Sequence, residues 1–399
     1  MNLRLIPVKL RGEIASIPSK SMAHRLLICA ALADRPTRIR CPVSSQDIET
    51  TAQCLEAIGA SAERSDTGYT VRPRKAKGSS ILLCRESGST LRFLLPVAGA
   101  LGLRCGFRME GRLPYRPIGP LEREMAAHGI LFHRPEHGLL NICGALQPGQ
   151  YSLPGNVSSQ YVSGLLLALP LLDGESMLRI TCKLESAAYV DMTLAALRAF
   201  NVEIQQRDHC FLIHPASYRS PEDAVVEGDW SNSAFWHAAN ALGSTVDVTG
   251  LDYNSLQADR SICSLLPRLG NGCTIDVADF PDLVPVLAVA ATAASGITQF
   301  VNAGRLRLKE SDRIEAVKQM ILALGGQARA GLDSLTVEPT PLSGGIVDTA
   351  GDHRIAMSAA IAATISESPV TILGAECVCK SYPNFWKDYA ALGGIFEEV

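Results

Sequence analysis

Two short segments of the chain carry carboxylates that could do chemistry, and the second of them places its carboxylates beside basic side chains. The segment DFPDLVP carries Asp282, and the segment RLRLKESDRIEA carries Lys309, Glu310 and Arg313. Carboxylates in a cationic field can give protons to a substrate or take protons from it. These residues are therefore candidates for general acid and base chemistry on an anionic substrate. The second segment, taken alone, is also compatible with an ordinary charged helix entry.

The elements that must position these residues recur along the chain. Six times a polar segment rich in Ser, Gly, Asp or Lys, here called a head, runs straight into an apolar stretch rich in Ala and Leu. The heads begin at Ser19, Glu86, Ser158, Gly228, Asp279 and Gly351, at spacings of 67, 72, 70, 51 and 72 residues. A period of about 70 residues indicates a repeated structural unit.

An amphipathic segment follows each apolar stretch and ends at a Gly or Asn. These stops are Gly59, Gly129, Asn201, Gly270, Gly325 and Gly393, at spacings of 70, 72, 69, 55 and 68 residues. A residue that tolerates positive φ is typical of a helix C-terminus. Each unit then reads as strand, buried helix, strand, amphipathic helix and a closing strand pair. The pattern predicts an α/β (α+β) protein of six units in two groups of three.

A polar head leaves backbone N–H groups at the positive end of a buried helix, where they attract anions. Capping of the helix is the alternative role for these residues, Ser158 among them. Because several chemically interesting residues occupy the same place in the repeat, we expect the heads to converge on one cleft. They would be joined there by basic residues: Lys20, Arg25, Arg116, Lys309, Arg313, Arg354 and Lys380.

The composition narrows the function classes. The formal net charge of −3 and the isoelectric point near 6.3 argue against a general nucleic-acid binder. The twelve cysteines lack zinc-ligand spacing, so we expect no metal site. The apolar stretches are too short to span a bilayer, and the N-terminus lacks the pattern of a signal peptide. We expect a soluble, cytoplasmic protein.

Seven motifs, spread in order over residues 14–388, resemble the 5-enolpyruvylshikimate-3-phosphate synthase family. They are SIPSKSMAHR, ESGSTLRF, YRPIGPL, NVSSQY, LKESDRIEA, GDHRIAM and KSYPNFW. The resemblance implies the enolpyruvyl transferase fold, with two similar domains of three βαβαββ units whose helices are enclosed by sheets. It implies one domain of residues 1–18 and 228–399, a second of residues 19–227, and an active site in the cleft between them.

The resemblance also implies the reaction. The carboxyvinyl group of phosphoenolpyruvate moves to the 5-hydroxyl of shikimate 3-phosphate through a tetrahedral adduct that loses phosphate. By analogy Glu310 protonates C3, while Asp282 and Lys20 handle the hydroxyl proton and the departing phosphate. No cofactor or metal is required, and the family is usually monomeric.

The motif matches assign the two substrates to different residues. For shikimate 3-phosphate the expected residues are Lys20, Ser21, Arg25, Ser158, Ser159, Gln160, Ser186, Asp282 and Lys309. For phosphoenolpyruvate they are Lys20, Gly88, Arg116, Gln160, Arg313, Arg354 and Lys380.

The second head departs from the family pattern, since Glu86 stands where an Asn is usual. We expect the Glu86 carboxylate to be turned toward a local arginine, Arg85 or Arg305. Gly88 keeps the small residue that goes with glyphosate inhibition in this family, so we expect inhibition.

Two other functions are alternatives to this interpretation. UDP-N-acetylglucosamine enolpyruvyl transferase shares the fold and the donor substrate, but its pattern has Lys-Asn where this chain has Lys20 and Ser21. It also has a reactive Cys where this chain has Gly111. A ligand-binding homologue without catalysis would be expected to lose Asp282, Glu310 or Lys20, and this chain keeps all three.

Overall fold

A computed structural model describes residues 1–74 and 79–399 of the chain. The chain divides into two compact units. The continuous unit is Pro18–Val226, and the discontinuous unit combines Met1–Ile17 with Glu227–Val399.

Strands and helices alternate along both units. The strands are β1 (Asn2–Ile6), β2 (Arg11–Ala15), β3 (Thr37–Arg40), β4 (Ala60–Ser65), β5 (Gly68–Pro73), β6 (Ser79–Arg85), β7 (Arg104–Met109), β8 (Ile130–Glu136), β9 (Leu139–Gly144), β10 (Gln150–Leu153), β11 (Ser176–Ile180), β12 (Gln205–Arg207), β13 (Cys210–Ile213), β14 (Asp223–Val225), β15 (Thr245–Thr249), β16 (Thr274–Asp276), β17 (Thr298–Val301), β18 (Gln327–Ala330), β19 (Ser334–Glu338), β20 (Gly345–Asp348), β21 (Val370–Leu373) and β22 (Ile395–Glu398). The helices are α1 (Lys20–Leu32), α2 (Gln46–Cys54), α3 (Gly88–Ala100), α4 (Gly119–Ala127), α5 (Ser159–Ala168), α6 (Ala187–Ala199), α7 (Trp230–Ala241), α8 (Ile262–Leu265), α9 (Val284–Thr292), α10 (Arg313–Ala323), α11 (His353–Ala363) and α12 (Phe385–Ala391).

Five sheets share one strand order. In the sheet β6-β7-β9-β8, the first two strands are parallel and the last two form an antiparallel hairpin. The sheets β10-β11-β13-β12 and β16-β17-β19-β18 repeat this order. A parallel pair of strands needs a crossover connection, and in each of these sheets the apolar helix forms it.

Two sheets complete this order with a strand from a distant part of the chain. Strand β14 pairs with β3 to complete the order β14-β3-β5-β4. Strand β1 lies between β21 and β22 in the sheet β20-β21-β1-β22. The discontinuous unit therefore depends on the N-terminal segment for an internal strand.

The fourth unit differs from the prediction. Its sheet contains only β15 and β2, which are parallel, and β16 of the next unit follows soon after α8. Among the described residues it has no closing strand pair. This loss explains why the fourth interval is short in both series of spacings, at 51 and 55 residues.

The apolar helices form the core of each unit. Helices α1, α3 and α5 are buried in the continuous unit, and α7, α9 and α11 in the discontinuous one. Helix α9 has no exposed position at all. Among the described residues, no helix has the length and apolarity to cross a membrane. The helices are enclosed because they lack a polar face.

The predicted helix stops are confirmed at five of six positions. Gly59, Gly129, Asn201, Gly325 and Gly393 all have positive φ. The exception is Gly270, which lies inside a 3₁₀ turn, Leu266–Asn271; the positive φ falls at Gly272 instead (φ 75°). Pro267 accounts for the difference, because a proline breaks regular helix geometry in this stretch.

Candidate active site

In the discontinuous unit, Asp282 is surrounded by three cations. It lies in a 3₁₀ turn, Pro281–Leu283, immediately before α9. Its Oδ1 is 3.1 Å from Lys309 Nζ and 2.8 Å from Arg313 Nη1. Its Oδ2 is 3.4 Å from Arg354 Nη2. The predicted acid–base carboxylate thus lies within the predicted cationic cluster.

Arg313 is the centre of this cluster. Its side chain is 1% exposed, and it contacts three carboxylates. Besides Asp282, it is 2.6 Å from Glu310 Oε2 through Nη2 and 2.8 Å from Asp352 Oδ2 through Nε. The planar guanidinium can serve several carboxylates because its five N–H donors point in different directions. Arg313 therefore brings Asp282 and Glu310 to one point.

The environment of the cluster shifts the pKa of both an acidic and a basic side chain. Burial alone would raise the pKa of Asp282, but Arg354, Lys309 and Arg313 outweigh it and hold that pKa well below its usual range. Burial lowers the pKa of Lys309 to about 8, with Asp282 acting in the opposite direction. Asp282 is consequently ionised, and Lys309 lies close to its titration point at neutral pH.

Arg307 holds the segment that carries Lys309 and Glu310. Its Nη1 is 2.6 Å from the Oδ2 of Asp312, and its Nε donates to the carbonyl of Leu332 at 3.0 Å. Asp312 in turn caps α10 by accepting from the N–H of Glu315. The loop before α10 is thereby tied to the turn between β18 and β19.

Two further predicted residues lie at the sixth head. Arg354 donates through Nη2 to Ser231 Oγ at 2.8 Å in addition to its contact with Asp282. Lys380 donates through Nζ to the carbonyl of Gly351 at 2.9 Å. Both cations are therefore held at the start of α11, close to the carboxylate of Asp352, which caps that helix.

In the continuous unit, Lys20 and Arg25 are anchored separately. Lys20 Nζ is 2.8 Å from Asp47 Oδ2. Arg25 is 2% exposed and donates to Thr193 Oγ1 and to the carbonyls of Ser21 and Tyr189. Arg25 thus links α1 to α6, and burial lowers its pKa to about 10. The backbone carbonyl of Ser21, rather than its hydroxyl, is what Arg25 contacts.

The second and third heads meet through Gln160. Its Nε2 donates to Ser89 Oγ at 2.9 Å, and its Oε1 accepts from Arg92 Nη1 at 2.7 Å. A Cβ on Gly88 would lie 2.8 Å from Arg92 Nη1 and 3.1 Å from Arg116 Nη1. Two guanidinium groups therefore approach the N-terminus of α3, and a larger residue at position 88 would displace them.

Glu86 lies against the loop that leads to Arg116. A Cβ on Gly111 would lie 2.5 Å from the Glu86 carboxyl carbon, and Gly111 has a φ of 54°. A side chain at Gly111, which is the place of the reactive Cys in the competing pattern, would therefore strain the backbone and displace the Glu86 carboxylate.

Ser158, Ser159 and Ser186 lie at the starts of α5 and α6. Ser158 Oγ accepts from the N–H of Gln160, so the capping role is confirmed. Ser186 is fully buried and has a φ of 54°. The strained backbone at Ser186 is the type of conformation that concentrates at binding sites.

Most of the polar heads are capped by their own side chains. Ser19, Ser87, Asp229 and Asp352 each accept a backbone N–H from the first turn of their helix, as Ser158 does. The heads therefore offer fewer N–H groups to an anion than the sequence alone indicates. Within residues 1–74 and 79–399, no group of three His, Cys, Asp or Glu side chains could hold a metal ion.

Sequence reasoning missed Arg92, Asp47 and Asp352 as members of these clusters. Arg92 carried a usable signal, because a charged residue inside the apolar stretch of α3 requires buried partners. Asp47 and Asp352 carried none, since an acidic residue at a helix start is common for capping alone.

Known structures define the fold class of the chain. EPSP synthase from Acinetobacter baumannii is similar with a TM-score of 0.83 and 24% sequence identity, with 100% of each chain covered. The enolpyruvyl transferase NikO from Streptomyces tendae is similar with a TM-score of 0.78 and 18% identity, covering 99% of this chain and 98% of that one. The predicted α/β enolpyruvyl transferase fold is confirmed.

Sequence comparison defines the family within that fold. The model of the EPSP synthase (3-phosphoshikimate 1-carboxyvinyltransferase) family matches residues 6–275 and 267–389. The 3-phosphoshikimate 1-carboxyvinyltransferase of Clostridium kluyveri is 40% identical over 420 residues, covering 98% of this chain and 97% of that protein. That of Clostridium novyi is 37% identical over 428 residues, covering 100% and 98%. The chain belongs to the EPSP synthase family.

Proposed function

We propose that the chain transfers the carboxyvinyl group of phosphoenolpyruvate to the 5-hydroxyl of shikimate 3-phosphate and releases phosphate. Family membership over nearly the whole chain supports this activity. The observation that carries the assignment of residues is the cluster in which Asp282 and Glu310 both contact Arg313. This cluster supplies two carboxylates for proton transfer and cations for anionic ligands.

The reaction needs a proton donor and a proton acceptor. C3 of phosphoenolpyruvate gains a proton while the hydroxyl loses one and attacks C2, and the tetrahedral adduct then loses a proton from C3 as phosphate departs. We assign the C3 proton to Glu310, whose side chain is partly exposed while its Oε2 is held by Arg313. This contact orients the carboxyl group, and in its protonated form the carboxyl can give a proton to C3 as a general acid.

Asp282 receives the role of positioning and deprotonating the 5-hydroxyl. With three cations around it, its low pKa makes it a weak base. An anionic ligand that takes hydrogen bonds from Arg313 and Arg354 would weaken their hold on Asp282. The pKa of Asp282 would then rise toward its usual value, and Asp282 would become a stronger base when the substrates are bound.

The remaining residues bind the two anions. For shikimate 3-phosphate, Ser21 and Arg25 are assigned to the carboxylate, and the serines before α5 and α6 to the phosphate with Lys309 and Gln160 nearby. For phosphoenolpyruvate, the assigned cations are Lys20, Arg116, Arg313, Arg354 and Lys380. Guanidinium forks suit carboxylate and phosphate oxygens, and lysines add compact charge.

One assay separates this function from its competitors. Phosphate release is measured with phosphoenolpyruvate and either shikimate 3-phosphate or UDP-N-acetylglucosamine as acceptor. We expect release with shikimate 3-phosphate alone. Release with the nucleotide sugar would indicate the related transferase, and binding of shikimate 3-phosphate without release would indicate a homologue that does not catalyse.

A variant tests the catalytic assignment. We expect Glu310→Gln to lower kcat about a hundredfold or more, because general acid catalysis commonly contributes a factor of this size. Glu315→Gln is the matched control, since Glu315 lies on α10 and contacts Lys318 and Gln319 instead. Equal kcat values for the two variants, at saturating substrates, would remove Glu310 from the mechanism.

We also propose that the chain acts as a monomer in the cytoplasm. The resemblance to a usually monomeric family supports the first point, and twelve free cysteines fit a reducing compartment. Light scattering at assay concentration tests the oligomeric state, and a mass near twice 42.7 kDa would contradict it.

A further inference from the structure

A buried chain of hydrogen bonds in the continuous unit takes no part in the proposed chemistry. His24 Nδ1 is 2.7 Å from Thr51 Oγ1, and Thr51 Oγ1 is 2.6 Å from Thr90 Oγ1. Thr90 Oγ1 then donates to Ser87 Oγ at 2.7 Å. His24, Thr51 and Thr90 are all fully buried, and they lie on α1, α2 and α3. One chain thus joins three helices.

The hydrogen bond that Thr90 donates to Ser87 determines which atom is the donor in the other two bonds. Because the Thr90 hydroxyl donates to Ser87, its oxygen must accept from the Thr51 hydroxyl. Thr51 in turn must accept from a proton on His24 Nδ1, since each hydroxyl has one proton to give. This tautomer leaves His24 Nε2 as an acceptor, and Nε2 is buried with no hydrogen-bond partner among the described residues. Burial, with Lys20 and Arg25 next, lowers the pKa of His24 well below its usual range, so the ring is neutral.

The chain runs beside the ion pair of Lys20. Lys20 and His24 are one helical turn apart on α1, and their partners Asp47 and Thr51 are one turn apart on α2. Such i, i+4 residues lie on the same face of a helix. The helix that carries Lys20 is therefore tied to α2 at two successive turns.

The far end of the chain determines the start of α3. Ser87 is the N-cap of α3, and its Oγ accepts both the N–H and the hydroxyl of Thr90. With both acceptor positions of this oxygen used, the Ser87 rotamer is determined by Thr90. Gly88 and Ser89, which follow directly, form the first turn of the helix that Arg92, Arg116 and Gln160 approach.

We propose that His24, Thr51 and Thr90 are positioning residues that hold the first turn of α3 in place relative to Lys20 for binding phosphoenolpyruvate. This inference rests on the proposed function and on the expectation that Gly88 binds phosphoenolpyruvate alone, whereas Lys20 is expected to contact both substrates and keeps its ion pair with Asp47 when the chain is cut. Arg25, assigned to shikimate 3-phosphate, is anchored by Thr193 and Tyr189 instead. Cutting the chain therefore affects one substrate more than the other.

Thr51→Val cuts the chain while keeping the shape of the side chain. We expect the KM for phosphoenolpyruvate to rise about tenfold and the KM for shikimate 3-phosphate to change less than twofold. Thr50→Val is the matched control, because Thr50 is equally buried on α2 and donates only to the carbonyl of Gln46. Thr51→Ser keeps the hydroxyl, and we expect it to restore the KM of the unmodified protein.

A second cut tests the connection between the ends. His24→Phe keeps an aromatic ring and removes the donor, so it should raise the same KM. Once one hydrogen bond of the chain is lost, the loss of a second adds little. The KM for phosphoenolpyruvate of the double variant His24→Phe/Thr51→Val should therefore lie within about twofold of the higher of the two single-variant values. If Thr51→Val does not fold, His24→Phe alone gives the comparison between the two KM values.

Three results would overturn the proposal. The first is identical kinetics for Thr51→Val and Thr50→Val. The second is an equal rise of the KM for phosphoenolpyruvate and the KM for shikimate 3-phosphate in Thr51→Val. The third is a fold-change in KM for the double variant that equals the product of the two single fold-changes. Phosphate release by the unmodified chain is measured first. Its absence would contradict the proposed function, whereas release together with any of the three results would contradict only the positioning chain.

Discussion

At the scale of single residues, the chemistry depends on charges that are shared. Arg313 contacts Asp282, Glu310 and Asp352, and the charge of Glu310 acts to raise the pKa of both Asp282 and Asp352 against the effect of Arg313. Gly88 has the complementary role, because its missing side chain gives space to two guanidinium groups. Each of the two residues therefore affects several neighbouring side chains, Arg313 through its charge and Gly88 through the space it leaves.

The space at Gly88 leads to a prediction for substrate and inhibitor together. Gly88→Ala puts a methyl group within 3.1 Å of both Arg92 and Arg116, so the guanidinium groups must shift. We expect the KM for phosphoenolpyruvate to rise about tenfold and glyphosate inhibition to weaken by at least as much. Steady-state kinetics with and without glyphosate measure this. Gly119→Ala is the control, since its Cβ would meet only the end of Arg123; unchanged inhibition in Gly88→Ala would contradict the prediction.

The pKa of Lys309 leads to a pH dependence. Because that pKa is about 8 rather than 10.5, the ammonium form is lost as pH rises through 8. We expect kcat/KM for shikimate 3-phosphate to fall above pH 8, and Lys309→Arg to keep its value flatter up to pH 9.5, since Arg stays charged. A pH profile for both proteins measures this, and superimposable profiles would contradict it.

The lowered pKa of Lys309 also changes the stability of the protein with pH, in the direction opposite to its effect on substrate binding. Between pH 8 and 10.5 the unfolded chain holds the Lys309 proton more tightly than the folded one. The contribution of Lys309 to the free energy of unfolding therefore rises with pH in that window, while substrate binding weakens.

At the scale of elements, turns bring the heads into place, and the turn before the second head is strained. Arg85 ends β6 with a φ of 48°, and its carbonyl accepts from the N–H of Glu110. The register of β6 against β7 shifts between Leu83 and Arg85, as in a β-bulge. A left-handed conformation at a residue with a long side chain costs about 1–2 kcal/mol.

This strain predicts that Arg85→Gly stabilises the protein. Glycine adopts positive φ without the steric cost, although it gains more entropy in the unfolded chain. We expect the free energy of unfolding to rise by about 0.5–1 kcal/mol in urea denaturation. Asn201→Gly is the comparison, because Asn tolerates its φ of 60° better and should gain less. A loss of stability in Arg85→Gly would show that the Arg85 side chain matters more than its backbone.

At the scale of the whole molecule, the two units differ in how the chain builds them. The continuous unit, Pro18–Val226, contains every strand of its three sheets. The discontinuous unit needs β1 inside the sheet β20-β21-β1-β22 and β2 beside β15. The residues assigned to acid–base chemistry, Asp282 and Glu310, belong to the discontinuous unit, whereas Lys20 belongs to the continuous one.

This difference predicts how fragments behave. We expect the fragment 18–226 to fold with a cooperative thermal transition, because it has its own core, and to show no phosphate release. The fragment 227–399 is the control; it should not fold cooperatively, because removal of β1 leaves β21 and β22 without the strand between them. Circular dichroism measures both, and a cooperative transition of 227–399 would contradict the role given to β1.

Much of the fold could be predicted because its determinants are local. The 70-residue period, the apolar helices and the stops at Gly59 or Asn201 depend on residue types at short spacing, and the structure confirms them. The short fourth interval was visible in the sequence as well. Its cause, a two-stranded sheet, required the strand pairing.

The sequence by itself determined the repeat, the heads and the motifs of the family, since helical and strand periodicities are properties of neighbouring residues. Only the tertiary structure decided which side chains share a hydrogen bond. Gln160 joins Ser89 to Arg92, and His24 reaches Ser87 through two threonines. These partners are far apart in sequence, and their contact depends on how helices pack. Packing is a property of the whole core, and no local spacing records it.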